Sequence, residues 1–240
     1  MKCVILAAGE GKRMRPLTLA TPKPLLAVAG RPILEHIVGV IPGEITELIM
    51  VIGYRGDQIQ DFCGTNFLGR KVRYVWQGEK LGTGHALKLC QSLVGNERFL
   101  LVYADDLYGA GGMAECLSHP RSLLVTEHPE PQRFGVVTLH PDGTVASIVE
   151  KPEQPSSNLV STGAMVLDEH IFRYQPELHS NGEYYLTSMI SRLVRDHRVA
   201  GVKTESWFPI GSPEDLDTAE EFIAASTRRD ATENENAGGR

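Results

Sequence analysis

Short apolar runs separated by turn residues recur along the first half of this chain of 240 residues. Several runs are continuously apolar, which is typical of parallel strands covered on both faces of a sheet. Segments with apolar residues at helical spacing lie between them, and one begins at a proline suited to the first turn of a helix. This alternation indicates an α/β fold. It predicts strands at 3–6, 48–53, 72–76 and 99–103, and helices at 32–38, 57–62 and 86–93.

From residue 122 onward the pattern changes to short β segments joined by turn residues such as Pro141, Asp142 and Gly143. We expect the first three segments to form a meander that walls one side of a cleft. Two helices are also predicted, and Ser212 is well placed to cap the second one ahead of Pro213. The β segments lie at 122–126, 134–139, 145–150 and 161–167, and the helices at 182–195 and 213–225.

Composition favours one globular domain over residues 1–225, because the chain is 42% hydrophobic and 22% charged. Residues 226–240 have no apolar face, and we expect a disordered tail there. The net charge of −6 offers no sequence-independent attraction for nucleic acid or for an acidic membrane surface. No apolar run approaches the length of a transmembrane helix. We therefore expect a cytoplasmic protein that binds neither nucleic acid nor membrane.

The four cysteines, Cys3, Cys63, Cys90 and Cys116, are scattered without C-x-x-C spacing. We expect buried free thiols in a reducing cytosol rather than disulfides or zinc ligands. A homo-oligomer is compatible with the sequence.

The first predicted strand ends abruptly in small residues that include Gly9 and Gly11. Glycines can take positive φ angles, and such a loop can turn its backbone N–H groups towards phosphates. Lys12, Arg13 and Lys23 supply positive charge close by. The Rossmann fingerprint and the Walker A motif are excluded, because the third glycine of the first and the Ser/Thr of the second are missing. Composition alone leaves a phosphate loop and an ordinary turn equally open.

Three further polar segments are candidates for chemistry. The glycine-rich segment 77–85 leads into a helix, where it can present main-chain groups to an anion or a base, or form an ordinary loop capped by Thr83. Asp105 and Asp106 follow a buried strand, a position suited to a metal or to capping the next element. The Glu-Lys-Pro segment 150–152 is, by itself, an exposed strand end.

The full string of the first loop resembles the signature of the sugar-1-phosphate nucleotidylyltransferases. It reads Leu-Ala-Ala-Gly-x-Gly-x-Arg-Met-x-Pro-Leu-Thr from residue 6, then Thr-Pro-Lys-Pro-Leu from residue 21. Later segments resemble further motifs of the family in the same order, among them Gln-x-x-x-Leu-Gly-Thr-Gly-His-Ala from residue 77 and Glu-Tyr-Tyr-Leu-Thr from residue 183. The resemblance implies an αβα sandwich with a mixed, mainly parallel central sheet of the Rossmann-like, nucleotide-diphospho-sugar transferase class. It also implies a nucleotide-binding part at 1–110 and a sugar-binding part at 111–225.

The resemblance implies a reaction that joins a sugar 1-phosphate to a nucleoside triphosphate and releases pyrophosphate, with Mg²⁺ as cofactor. UTP or dTTP is favoured, and glucose 1-phosphate and N-acetylglucosamine 1-phosphate stay open as sugar substrates. The implied catalytic residues are Arg13, Lys23 and Asp105, and Asp105 is also the implied metal ligand. Two alternatives are a different phosphorylated acceptor, such as mannose 1-phosphate or phosphocholine, and a non-catalytic nucleotide-sugar sensor.

The resemblance also carries over two sets of binding residues. The implied nucleotide-binding residues are Leu6, Ala7, Ala8, Gly9, Gly11, Lys12, Arg13, Gln77, Gly82 and Thr83. Gln77 is expected to donate and accept at once, which suits the edge of uracil or thymine. The implied sugar-phosphate-binding residues are Tyr103, Gly135, Glu150, Lys151, Thr162, Gly163, Tyr185 and Trp207. Among these, the Glu150 carboxylate is expected to bind sugar hydroxyls and the Lys151 ammonium the sugar phosphate.

The chain departs from the family pattern at two positions. Ala104 replaces a glycine, which is a small change in steric terms. Pro209 stands where many members have an aspartate that is a second protein ligand to magnesium, and proline has no side-chain oxygen. We therefore expect Asp105 to be the principal ligand. Asp106 and Asp215 are possible helpers, although a loop acid and a first-turn helix acid are the simpler interpretations.

Overall fold

The computed structural model describes residues 1–225, and the predicted tail at 226–240 lies outside the described residues. The strands are β1 Lys2–Ala7, β2 Ala27–Val28, β3 Arg31–Pro32, β4 Glu47–Ile52, β5 Asn66–Phe67, β6 Arg70–Trp76, β7 Phe99–Tyr103, β8 Asp106–Tyr108, β9 Ser122–Glu127, β10 Gly135–Leu139, β11 Val145–Glu150, β12 Leu159–Leu167, β13 Ala200–Lys203 and β14 Trp207–Pro209. The helices are α1 Ile33–Gly39, α2 Gly56–Cys63, α3 Gly82–Leu89, α4 Gln91–Val94, α5 Ala110–Leu117, α6 Leu186–Asp196 and α7 at 215–225.

One large mixed sheet organises the described part of the chain. Its main path runs β11-β10-β12-β7-β1-β4-β6-β5, while β9 pairs with β12 and β13. The centre is parallel, because β1 pairs in parallel with both β4 and β7, and β4 with β6. Antiparallel pairs flank it on both sides. This mixed sheet flanked by helices confirms the predicted fold class.

Both faces of the central strands are buried. Cys3 and Ile5 belong to one hydrophobic cluster, which α1, α2 and α5 cover, while Val4 belongs to a second cluster beneath α3 and α6. Residues of β4 and β7 divide between the two clusters in the same alternating way, as the pleat of a strand requires. The continuous apolar runs therefore do mark strands covered on both sides.

The second half differs from the prediction in its strand pairing. Between residues 122 and 225, only β10 and β11 form a sequential antiparallel hairpin, while β9 pairs with β12 and lies parallel to β13. The expected meander is therefore wrong. The long strand β12 causes the difference, because its irregular register lets it pair with β7, β9 and β10.

Several helix boundaries also differ from the prediction, and the helix expected from residue 213 begins at residue 215. The helix expected at 86–93 begins earlier, at Gly82, and is interrupted at Cys90. The helix expected from residue 182 begins at Leu186, because the backbone of Tyr184 is bonded to the start of α3 instead. The four cysteines are buried free thiols, as predicted. Within residues 1–225, none of the helices is long and apolar enough to cross a membrane.

Candidate active site

A cleft of about 580 Å³ opens at the carboxyl ends of β1 and β7, the edge where parallel strands deliver their loops. The loop after β1, the segment leading into α3 and the loop ahead of α6 form its walls. The cleft brings together these residues singled out from the sequence: Leu6, Ala7, Ala8, Gly9, Gly11, Lys12, Arg13, Lys23, Gln77, Gly82, Thr83, Tyr103 and Asp105.

The two glycines of the first loop differ in their environment. Gly11 has φ +59°, and a Cβ there would lie 3.0 Å from the Cβ of Lys23. At Gly9 no heavy atom of the described residues lies within 4 Å of a Cβ position, and the expected positive φ is not observed. Packing against the protein explains Gly11, whereas Gly9 leaves its backbone open to the cleft.

Lys23 is a buried cation at the base of the cleft. Its side chain is 7% exposed, and its Nζ donates to Asp105 Oδ2 at 3.1 Å and to the carbonyl oxygen of Ile210. An ammonium group loses much hydration on burial, and these two acceptors compensate for part of that loss. The ammonium is thereby fixed beside the exposed carboxylate of Asp105.

Two further cationic side chains, those of Arg13 and Arg133, lie next to Gly211. The guanidinium nitrogens of Arg13 and Arg133 lie 3.5 and 3.2 Å from the position of a Cβ on that glycine. A larger residue at 211 would therefore come into contact with both guanidinium groups. Asp215 is already engaged here, because its Oδ2 accepts from the backbone N–H groups of Gly211 and Ser212 at 2.7 and 2.8 Å.

The two adjacent aspartates occupy opposite environments. The side chain of Asp105 is 46% exposed and lines the cleft. Asp106 is buried in β8, and burial together with the charge of Asp105 raises the pKa of its carboxyl group well above the usual value. Its Oδ1 accepts from the backbone N–H of Ile210 at 3.2 Å, and Pro209 lies opposite it in β14.

This donor set fits a hard divalent cation that binds through few protein ligands. Asp105 presents a carboxylate to the cleft, whereas Asp106 is buried and Asp215 accepts two backbone bonds. Mg²⁺ commonly binds through one or two carboxylates, several waters and the phosphates of its substrate. A single exposed carboxylate beside an anion-binding loop is compatible with that mode.

The amide of Gln77 is fixed by the protein at the far end of the cleft. Its Nε2 lies 3.0 Å from the carbonyl oxygen of Gly82 and 3.0 Å from Nδ1 of His85. Nε2 therefore has protein partners within reach for both of its hydrogens, and Oε1 is the polar atom of this side chain that stays available to a ligand. Gly82 has φ +86°, and a Cβ there would lie 2.7 Å from the carbonyl oxygen of Tyr184, so a larger residue does not fit.

A second cluster, next to the cleft, gathers residues expected on the sugar side. Glu150 accepts from the Thr187 hydroxyl, and its Oε1 lies 3.5 Å from Nζ of Lys151. That Nζ lies 5.0 Å from the ring centroid of Tyr185, a cation–π contact. A Cβ on Gly135 would lie 3.6 Å from Glu150 Oε2. A carboxylate and an ammonium group are thus held side by side.

Tyr103 connects the cleft with this cluster. Burial and the nearby Glu150 carboxylate raise the pKa of its hydroxyl, so the phenol stays protonated. Its ring packs against Gly163, where a Cβ would lie 2.6 Å from Cδ2 of the ring. Gly163 therefore provides the space in which the tyrosine sits.

Two residues of the sugar-side set have their side chains in the core. Trp207 is buried, and its ring lies 5.3 Å from that of Phe134. The Thr162 hydroxyl donates to the carbonyl oxygen of Leu124 at 3.0 Å. In the structure, Trp207 packs against another aromatic side chain, and the Thr162 side chain is held by a hydrogen bond inside the core.

The cleft also contains residues that the sequence did not single out. Glu10 forms ion pairs with Lys12 and Lys80 across the mouth of the cleft. Asn181 and Glu183 reach it from the loop ahead of α6. Their signal in the sequence is weak, because a polar residue in a loop is ordinary, and only the tertiary fold places these loops beside the glycine-rich one.

A sequence model of the nucleotidyl transferase family matches residues 2–226 of the chain. The chain therefore belongs to the nucleotidyl transferase family, whose members are generally dependent on a divalent metal.

Among its relatives is the UTP–glucose-1-phosphate uridylyltransferase AglF of Haloferax volcanii, which is 33% identical and is matched over 97% of this chain and 100% of its own length. The bifunctional protein GlmU of Methanocaldococcus jannaschii is 32% identical over 93% of this chain and 54% of its own length. The chain thus spans about half the length of the GlmU proteins it matches. A Bacillus anthracis structure, described as a glucose-1-phosphate thymidylyltransferase in complex with sucrose, superposes with a TM-score of 0.83 at 25% identity, covering 92% of this chain and 95% of that one.

Proposed function

We propose that this protein transfers a nucleotidyl group from a nucleoside triphosphate to a sugar 1-phosphate and releases pyrophosphate. The observation that carries the proposal is the buried Lys23 ammonium, held on Asp105 in the cleft that the glycine-rich loop lines. Relatives named as uridylyltransferase and thymidylyltransferase support the same chemistry. We further propose that residues 1–110 chiefly bind the nucleotide and 111–225 the sugar.

The proposed chemistry needs no general base. A phosphate monoester is largely dianionic at neutral pH, because its second pKa is about 6. It attacks the α-phosphate in line, and the P–O bond to pyrophosphate breaks while the new P–O bond forms. Positioning and charge neutralisation therefore account for the catalysis.

The cations of the cleft have separate tasks in this proposal. Lys23 and Arg13 neutralise negative charge on the α-phosphate and the departing pyrophosphate. Gly9 and Gly11 let the triphosphate approach the backbone, and Lys12 adds charge at the mouth. Asp105 would hold Mg²⁺, which supplies further neutralisation of phosphate charge when bound.

We propose UTP or dTTP as the nucleotide. Gln77 offers its carbonyl oxygen as an acceptor, and Gly82, as the first residue of α3, offers a backbone N–H that needs no helical partner. Uracil and thymine present the complementary N3–H donor beside a carbonyl acceptor. Thr83, which lines the cleft, adds to this base end.

On the sugar side, Glu150 would accept hydrogen bonds from sugar hydroxyls and Lys151 would bind the phosphate. Lys151 takes a φ of +41°, an unusual angle for a residue with a side chain, and strained residues of this kind cluster at functional sites. The ring of Tyr185 lies against its ammonium group and limits where that charge can go. Tyr103 and Gly135 complete the proposed sugar site.

The decisive experiment is a matrix of activity assays. UTP, dTTP, CTP, ATP and GTP are each combined with glucose, N-acetylglucosamine and mannose 1-phosphates and with phosphocholine, in the presence of Mg²⁺, and pyrophosphate release is measured. We expect release with UTP or dTTP and a gluco-configured sugar phosphate, and its loss in Lys23→Ala. Turnover only with another acceptor would change the substrate class. Nucleotide-sugar binding with no pyrophosphate release from any pair would identify a sensor instead of an enzyme.

A further inference from the structure

The orientation of the Gln77 amide is determined by two acceptors. The carbonyl oxygen of Gly82 can only accept a hydrogen bond, so the amide group that lies 3.0 Å from it must be the NH₂. The second hydrogen of that NH₂ then points at Nδ1 of His85, also 3.0 Å away. Nδ1 must be unprotonated to accept it, which places the proton of a neutral imidazole on Nε2.

This arrangement leaves a single free polar atom on Gln77. Gln77 is 7% exposed and lines the cleft, and within residues 1–225 no donor is bonded to its Oε1. A ligand at this end of the cleft therefore meets an acceptor at residue 77. Rotating the amide by half a turn would bring Oε1 against the Gly82 carbonyl and remove the hydrogen bond to His85.

We propose that His85 is a positioning residue for base selection: it holds the Gln77 amide so that Oε1 reads an N–H on the edge of the base. The proposal rests on the proposed function, because it assumes that a nucleotide base binds at this end of the cleft. Uracil and thymine carry an N3–H donor at that edge. Cytosine has an unprotonated N3, and its lone pair would be repelled by the lone pairs of Oε1. His85 contributes to the preference for uridine or thymidine nucleotides without touching the base.

The expected effect can be sized from one hydrogen bond. A net contribution of about 0.5–1.5 kcal/mol corresponds to about 2–12-fold in an equilibrium constant. In His85→Leu the amide keeps only its bond to Gly82, so the UTP-over-CTP ratio of kcat/KM should fall by about that factor. In His85→Asn the Oδ1 atom can take the place of Nδ1 as acceptor, and the ratio should return towards that of the wild type.

A double-mutant cycle separates positioning from general damage. Gln77→Met removes the amide at similar length and should abolish most discrimination between UTP and CTP. If His85 acts through Gln77, adding His85→Leu to Gln77→Met should leave the UTP-to-CTP ratio unchanged. UTP and CTP binding measured by calorimetry supplies the same ratio without turnover, and KM for the sugar phosphate should stay constant in all variants. His85→Phe serves in place of His85→Leu if the leucine variant does not fold.

The outcomes distinguish this inference from the proposed function. A wild-type protein that binds no nucleoside triphosphate and releases no pyrophosphate would overturn the function itself. A wild type that prefers UTP while His85→Leu and His85→Phe keep the full preference would overturn the role of His85 alone. An equal further loss from His85→Leu in the Gln77→Met background would do the same.

Discussion

Replacing Gly163 with alanine should destabilise the protein and disturb the sugar side of the cleft together. Gly163 has φ +86°, and a methyl group there would lie 2.6 Å from Cδ2 and 2.8 Å from Cγ of the Tyr103 ring. A positive φ at a residue with a Cβ costs roughly 1–2 kcal/mol. Displacing a packed ring costs a further 1–3 kcal/mol or so, and the reduced freedom of the unfolded chain returns about 0.4–1 kcal/mol.

The expected net loss is therefore about 1–5 kcal/mol, which for a chain of this size lowers Tm by about 2–20 °C. Gly143→Ala is the matched control. Gly143 has φ +80°, but within the described residues no heavy atom lies within 4 Å of its Cβ position. Gly143→Ala therefore carries the cost of a positive φ but no collision with a neighbouring atom. Its free energy of unfolding should fall by only about 1 kcal/mol.

Two measurements check the reasoning. Thermal unfolding of both variants gives the difference between them, and initial rates give KM for the sugar 1-phosphate. We expect Gly163→Ala to show the larger fall in Tm and a raised KM, because Tyr103 lines the cleft. Equal shifts in Tm for the two variants would show that a methyl group at residue 163 does not collide with the Tyr103 ring. An unchanged KM would show that this ring is not part of the sugar site.

Other substitutions test the remaining roles. Lys23→Met keeps the apolar stem but removes the ammonium, so turnover should fall on the order of 10²–10³-fold, and near-normal pyrophosphate release would contradict its role. Glu150→Ala should relax discrimination among sugar 1-phosphates, whereas Lys151→Ala should impair all of them alike, and selectivity profiles identical to wild type would exclude a sugar-reading carboxylate. Pro209→Asp adds a carboxylate opposite the buried Asp106, so the nucleotide-free protein should bind Mg²⁺ more tightly in calorimetry and unfold at a lower temperature without metal. Burial raises the pKa values of the four cysteine thiols, so the native protein should react slowly with a thiol reagent while the unfolded protein reacts at all four, and rapid native labelling would contradict their burial.

The parts of the fold that could be predicted are those whose cause is local. β1, β4 and β7 are continuously apolar because both of their faces are covered, and that pattern is visible without the structure. The pairing of β9 with β13 joins segments about 75 residues apart, and neither segment's composition distinguishes that partner from a neighbouring strand. The predicted meander failed for this reason.

The glycines in the first turn of α3 belong to a motif that the sequence shows, although the sequence does not show why small residues are needed there. Gly82 and Gly84 suggest a loop that faces an anion or a base. In the fold, a Cβ on either residue would also lie 2.7 Å from the segment ahead of α6, at the carbonyl oxygen of Tyr184 and at Cβ of Pro176. Their small size is needed for that close approach, which places Asn181 and Glu183 in the cleft. The contact partner is some hundred residues away, so the sequence near α3 carries no sign of it.

The adjacent aspartates show a feature of the site that depends on the tertiary fold rather than on the local sequence. Asp105 and Asp106 are adjacent and have the same side chain, so their chemistry alone does not distinguish them as metal ligands, and only the family resemblance favoured Asp105. The pairing of β8 with β14 separates them, because it buries Asp106 opposite Pro209 and leaves Asp105 at the end of β7, facing the cleft and Lys23. Burial then raises the pKa of Asp106, while the exposed carboxylate of Asp105 accepts a hydrogen bond from the Lys23 ammonium. Strand β14, about 100 residues further along the chain, thus decides which of the two carboxylates is available to a cation. Pro209 on that strand has no carboxylate of its own to add.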